Sequence, residues 1–234
     1  MVNTKNNISA FIDLDGTLCD QYLWQALFAH HRKNRFKLGT LYAFIAFHTP
    51  IWLLYESHFL TQNFFYRLHG TNLAWLVRGV SVKRAEEIWD WVIENQIIPH
   101  LRPEMLAAIE EHKCQAHRVI LISGSFTPLL DQLTLNLGIE GAIATPLAVK
   151  NGHYTGKILP PLNIGQGKVE RLKQYLDGAG KEIDLTKSFF YTDSNVDAQV
   201  MEMFGHPVAV YPDPKLARLA ATRGWPVIGD TLTN

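Results

Sequence analysis

An apolar run near the start of the chain, Ile8-Ser9-Ala10-Phe11-Ile12, leads directly into Asp13-Leu14-Asp15-Gly16-Thr17. Such a run reads as a strand buried on both faces, as in parallel sheets covered by helices. Two carboxylates then emerge together at the strand's carboxyl end and are followed by a glycine turn. Like charges that close repel and resist loss of water, so a cation or a shared proton is needed to offset the cost. A hard divalent cation meets that need: magnesium prefers oxygen ligands and keeps positions open for water and phosphate. A calcium loop fails on spacing, because Leu18 stands where glycine is required and Trp24 where the bidentate acid belongs.

Of 234 residues, 47% are hydrophobic and 19% charged, which suits one main α/β domain with room for an insertion. The formal net charge is zero, and the basic residues cluster no further than His30-His31-Arg32-Lys33-Asn34-Arg35. That balance excludes nucleic acid as a partner. Cys19 and Cys114 have no ligand-like spacing, so they read as reduced thiols of a cytoplasmic protein, and zinc is not indicated. Met1 to Asn7 are polar and lack a signal peptide's apolar core.

After the first strand, β character disappears until Arg118. The intervening residues read as helices with breaks near Gly39, Pro50, Gly70 and Gly79. Ser81 caps a helix carrying Ala85, Ile88, Trp89, Val92 and Ile93 at helical spacing, which should end before Pro99. Strand and helix then alternate: a helix over 104–114, a strand over 118–122, a helix over 127–137, a strand over 142–145, a hairpin around 151–158, a helix over 167–176, and strands over 188–192 and 207–211. This alternation predicts a Rossmann-like parallel α/β sheet. The expected division is a core of residues 1–18 and 101–234 with an inserted all-helical cap of residues 19–100.

Ligands bind beyond the carboxyl ends of strands in open parallel sheets. The first strand delivers Asp13 and Asp15, the second Ser123-Gly124-Ser125, and the strand ending at Thr192 delivers Asp193-Ser194-Asn195-Val196-Asp197. Hydroxyls and backbone donors ahead of a helix form an anion seat, although Ser123-Gly124-Ser125 alone is equally an ordinary helix cap. Lys168, at a helix start, brings a fixed positive charge; Lys150, Lys157 and Lys173 are its neighbours in sequence. None of the ten histidines pairs with an acid in a convincing ligand pattern, so they are expected at the surface or in the core. Phe44, Phe47, Trp52, Tyr55, Phe59, Phe64, Phe65 and Tyr66 are expected to form the core of the insertion. Arg67 and Arg78 are candidates to reach a second anionic group of a substrate.

These motifs, in this order, resemble the haloacid dehalogenase superfamily of phosphohydrolases, and the helical insertion resembles its phosphoserine-phosphatase-like subgroup. The resemblance covers nearly the whole chain, including Tyr211-Pro212-Asp213-Pro214 and Arg223-Gly224-Trp225-Pro226-Val227. It implies that Asp13 attacks phosphorus to form an aspartyl-phosphate, while Asp15 serves as general acid and then general base. It implies Mg2+ held by the Asp13 carboxylate, the Asp15 carbonyl and Asp193. Ser123 and the Gly124 amide, with Ser125 beside them, would bind phosphate, Lys168 would stabilise charge on Asp13 and the phosphoryl group, and Asp197 would support the metal's surroundings or Lys168.

The chain departs from that pattern twice. Val196 stands where family members acting on phosphoserine carry asparagine, and Tyr22 stands where they place the glutamate that recognises the substrate amino group. With Trp24 and the aromatic insertion, Tyr22 favours an apolar or lipid-like leaving group, and the resemblance extends to bacterial phosphatidylglycerophosphate phosphatases. The expected substrate is therefore a small or lipid-like phosphate monoester. The alternatives are a membrane-associated lipid phosphate phosphatase and a catalytically silent phosphate- or metal-binding module. The uncharged segment Leu38 to Tyr55 is interrupted by His48-Thr49-Pro50 and falls short of the about 20 apolar residues of a membrane span. It reads as a helical hairpin packed on itself, as a helix lying on a bilayer at the membrane's inner face with the basic patch beside it, or, against its length, as a membrane span.

Overall fold

The computed structural model describes residues 7–178 and 182–230; residues 1–6, on which most of the reading of the amino terminus rests, lie outside them. The chain runs through β1 (Ser9–Ile12), α1 (Leu23–Lys33), α2 (Leu38–Glu56), α3 (Gln62–Asn72), α4 (Val82–Val92), α5 (Pro103–Cys114), β2 (Arg118–Phe126) and α6 (Thr127–Leu137). It continues through β3 (Gly141–Thr145), β4 (Leu147–Lys150), β5 (His153–Ile158), α7 (Gln166–Asp177), β6 (Phe189–Thr192), α8 (Ala198–Met201), β7 (His206–Val210), α9 (Pro214–Arg223) and β8 (Val227–Ile228).

Six strands form one sheet in the order β3-β2-β1-β6-β7-β8, and every pairing in it is parallel. This is the expected Rossmann-like α/β sheet. Successive residues of β1 point to opposite faces and both faces are covered, so each residue is apolar or small. Ala10 and Ile12 pack in the same cluster as Met105, Val119, Leu121 and Leu129, whereas Phe11 packs with Ile120, Ile122, Phe190, Val200 and Leu216 on the other side. Strand order reverses between β1 and β6, and the loops leaving these neighbours diverge to open a crevice.

Between β1 and β2 every element is helical. The two chain passages that join this part to the sheet run side by side: Asp20 N donates to His100 O at 3.1 Å and Arg102 N to Leu18 O at 2.9 Å. The antiparallel hairpin β4–β5 braces the same part, with Tyr154 N donating to Val80 O at 2.9 Å and Gly79 N donating to Tyr154 O at 2.7 Å.

Several local expectations are corrected. Residues 38–56 form one continuous helix with Pro50 inside it, not a hairpin, and Gly39 and Gly70 also lie within helices. Proline removes one backbone donor, and in the preceding turn the Thr49 hydroxyl donates to Ile45 O at 2.8 Å. Helical winding after α4 continues through residues 93–97 and 98–100, with Pro99 in a first turn where its missing N–H has no partner to lose. The aromatic residues of the insertion divide: Phe44 is buried, whereas Phe47, Trp52, Phe59 and Phe64 are exposed. By length and composition α2 is long and apolar enough to cross a membrane, and only 17% of its most apolar window is buried, so it is not a core helix.

Candidate active site

The loop after β1 is fixed by its own backbone. Asp13 N donates to Tyr191 O at 3.0 Å, which anchors it to β6, and Gly16 N donates to Cys19 O at 2.8 Å to close the turn. Gly16 has φ +83°, and a Cβ there would stand 2.2 Å from Asp193 Oδ2. Only glycine lets the first loop approach the third so closely. Thr17 completes the junction: its hydroxyl donates to Asp193 Oδ1 at 3.0 Å and accepts from Asp193 N at 2.9 Å.

Asp15 turns toward the second loop. Its Oδ2 accepts from Ser125 Oγ at 2.7 Å and from Ser123 Oγ at 3.1 Å, and its Oδ1 accepts from Leu23 N at 2.6 Å in the first turn of α1. Burial raises the Asp15 carboxyl, and these donors oppose the rise. The hydroxyls expected to bind phosphate therefore hold Asp15. Pairing of β2 with β3 slips between Ile122 and Phe126, which lifts residues 123–125 out of the ladder. Asn163 then clamps them, donating from Nδ2 to Ser123 O at 2.8 Å and to Ile143 O at 2.7 Å, while Thr145 Oγ1 donates to Gly124 O at 2.9 Å. Sequence reasoning missed both clamps; a lone asparagine in a proline-rich loop gives no periodic signal.

Lys168 sits in the first turn of α7, 2% exposed, and bridges two loops: Nζ lies 3.3 Å from Asp13 Oδ1 and 2.5 Å from Asp197 Oδ2. Burial disfavours its charge, but the two carboxylates outweigh that and hold its pKa above the usual lysine value. Asp197 also accepts from Thr192 Oγ1 at 3.1 Å and, at 3.4 Å, from Gly165 N. The loop behind it is tied down by Asn195 N donating to Asp213 Oδ2 at 2.8 Å. Val196 faces the cavity.

Charge in this crevice is unbalanced. Among the described residues, Asp13, Asp15, Asp193 and Asp197 line it together with a single cation, Lys168. Among the described residues, neither Asp15 nor Asp193 makes an ion pair. Burial pushes Asp13 well up despite Lys168, and pushes Asp193 up to about 7 despite the Thr17 hydroxyl. A divalent cation suits the acidic oxygens of Asp13 and Asp193 together with the Asp15 carbonyl, while among the described residues no three acid, histidine or cysteine side chains stand grouped to hold one by themselves.

From these carboxylates a cavity of about 560 Å³ extends under α1, α2 and α3. Tyr22 and Tyr66 stand on its wall with hydroxyl pKa values raised by burial. Trp24, Phe44, Trp52 and Phe65 line the far part, as do His48 and His69, which sequence reasoning assigned no role. Burial lowers both histidines, His69 to about 4. Arg67 and Arg78, candidates for a second anionic contact, are exposed and outside the cavity lining, Arg67 on α3 and Arg78 in the turn that follows residues 73–77.

The family model of the haloacid dehalogenase-like hydrolases matches residues 10–202. The chain belongs to that family. It is 30% identical over 176 residues to a histidinol-phosphatase of Neisseria meningitidis, covering 74% of this chain and 78% of that protein. It is 29% identical over 115 residues to a phosphoserine phosphatase of Lactococcus lactis, covering 49% of this chain and 52% of the other. Other curated relatives are longer, and the chain spans 56% of one from Streptomyces azureus. Among solved structures, a Bordetella pertussis protein of unknown function superposes with a TM-score of 0.79 at 24% identity, covering 94% of this chain and 97% of that one. A substrate-bound phosphoserine phosphatase superposes with a TM-score of 0.62 at 19% identity over 96% and 93% of the two chains, which shows the shared fold. The chain is thus phosphoserine-phosphatase-like within its family. None of the names above is that of a phosphatidylglycerophosphate phosphatase.

Proposed function

We propose that the protein is a Mg2+-dependent phosphomonoesterase working through an aspartyl-phosphate on Asp13. The observation that carries this reading is the Asp13–Lys168–Asp197 chain beside Asp15, at the point where the strand order reverses. Lys168 opposes the burial that raises Asp13 and aims its carboxylate into the cavity, so Asp13 Oδ attacks phosphorus as the bond to the leaving oxygen breaks. Asp15, still held by Leu23 N, gives its proton to that oxygen. The resulting carboxylate takes a proton from water as the water attacks phosphorus, which frees Asp13 and inorganic phosphate. Ser123 Oγ and Ser125 Oγ, which hold Asp15 before substrate binds, would exchange it for phosphate oxygens as the substrate enters, with the Gly124 amide between them. Asp13, Asp193 and the Asp15 carbonyl would hold Mg2+, which when bound neutralises phosphate charge. The alternative of a silent binding module leaves the pairing of Asp13 with Lys168 without a purpose.

Residues 19–100 form the cap in this reading and exclude water when they close over residues 1–18 and 101–234. The adjoining passages at 18–20 and 100–102 would then be its hinge. The substrate is a phosphate monoester, and phosphate release by the wild type, lost in Asp13→Asn, tests the assignment. A second reading, peripheral contact with the inner face of a membrane, is favoured by the exposure of Tyr42, Phe47, Trp52, Leu53 and Leu54 on α2. Co-sedimentation with anionic vesicles tests it: binding that Phe47→Ser with Leu54→Ser abolishes supports it, and no binding excludes it.

A further inference from the structure

We infer that, given the phosphatase reading above, the alcohol part of the substrate is uncharged and apolar, an alkyl chain or ring system housed beneath α1–α3. The charged groups lining the cavity are Asp13, Asp15, Lys168, Asp193 and Asp197, all at the phosphate end. Beyond them the apolar part of the wall is Trp24, Phe28, Phe44, Trp52 and Phe65, with leucine and isoleucine between. Its volume of about 560 Å³ is that of a small-molecule site, and far more than a phosphoryl group fills.

The polar side chains along the rest of the wall, Tyr22, Gln25, His48, Thr49, Tyr66 and His69, carry no formal charge. His48 Nδ1 lies 2.9 Å from Phe44 O, so that nitrogen carries the proton, and Nε2 accepts from Asn72 Nδ2 at 3.3 Å. The His48 ring stacks on Phe44 at 4.0 Å, and His69 stands edge-on to Phe44 and to Trp24. Neither histidine has a carboxylate beside it, and both are biased toward the neutral form by burial. An ammonium or carboxylate on the leaving group would lose its water here and meet no opposite charge. Amino-bearing esters such as phosphoserine and histidinol phosphate are therefore poor substrates, whereas each buried methylene adds to affinity.

The test uses two matched series on the full chain with Mg2+. Binding of methyl- through decylphosphonate, which cannot be hydrolysed, is measured by calorimetry, and kcat/KM is measured for the corresponding alkyl phosphates, 1-naphthyl phosphate, phosphoserine and histidinol phosphate. Affinity is expected to rise about fourfold per methylene until the cavity is full, and kcat/KM to rise with it. Trp24→Glu, at a partly exposed position that tolerates substitution, should lower the decyl-to-methyl ratio at least tenfold and raise the relative rate on histidinol phosphate. Phosphonate affinity independent of chain length overturns the inference, as does preference for either amino-bearing ester. Because the phosphonate series needs no turnover, failure of the phosphatase reading shows separately, as chain-dependent binding without phosphate release from any ester. A further arm offers the long-chain phosphate as monomer or in phosphatidylcholine vesicles, and the faster form identifies its source.

Discussion

Lys168 Nζ stands 3.3 Å from Asp13 Oδ1, buried with it between the carboxyl ends of β1 and β6. Among the described residues, this lysine is the single positive charge lining a crevice that holds four aspartates. The same contact that compensates the buried Asp13 also fixes the direction in which that carboxylate meets a ligand, so stability and chemistry share one side chain.

Lys168→Met should therefore lose both. Leaving Asp13 and Asp197 buried without their cation is expected to cost roughly 3–5 kcal/mol, read by urea unfolding in metal-free buffer. Unchanged stability would show that the pair is not compensating buried charge.

Removal of divalent metal gives a second expectation. The chelator-treated protein should gain about 2.7 kcal/mol of stability when Mg2+ reaches a hundredfold over its Kd, and Asp193→Asn should shrink that gain. Thermal unfolding with and without Mg2+ measures it; equal shifts in both proteins would take Asp193 out of the metal's reach.

Gly16→Ala tests the junction of the first and third loops. A side chain at φ +83° costs about 1–2 kcal/mol in itself, and its Cβ collides with Asp193. The variant should fold at reduced stability with kcat/KM down at least about a hundredfold, as for a small misplacement of reacting groups. Wild-type kinetics would mean that the loops have slack.

Acid sensitivity is expected at a site remote from the chemistry. His30 is 6% exposed, its Nδ1 has no hydrogen-bond partner among the described residues, and burial pushes it from 6.5 down to about 4. The unfolded imidazole takes its proton near 6.5 and the buried one only near 4. Its penalty is thus absent above 6.5 and grows as the pH falls toward 4. His30→Phe, which keeps the ring among His31, Phe36 and Trp91, should gain about 2 kcal/mol over wild type between pH 7 and 5. Parallel stability curves would refute the assignment.

The parallel sheet was legible because each of its long strands is an apolar run ending in a turn; Asp13, Asp15, Ser123 and Asp193 stood out because they follow those runs at once, and Lys168 because it opens a helix. Interruption signals in the insertion were weaker than its packing: Pro50 and Gly70 lie inside helices because tertiary contacts outweigh local propensity. The cavity was not legible, since one aromatic stripe describes both a core and a lining. Only the fold separates buried Phe44 from Trp52, which lines the cavity while half-exposed. Asn163 and Thr145 were invisible because their partners are backbone carbonyls distant in sequence.

The most direct measurement of the central claim is rapid quenching of wild type and Asp13→Asn during turnover of a labelled phosphate monoester, followed by peptide mapping. The account predicts one phosphoryl group per wild-type chain, labile to hydroxylamine and carried by the peptide containing Asp13, with neither label nor turnover in the variant. Turnover by Asp13→Asn at the wild-type rate, or a phosphoryl group on another residue, would contradict it.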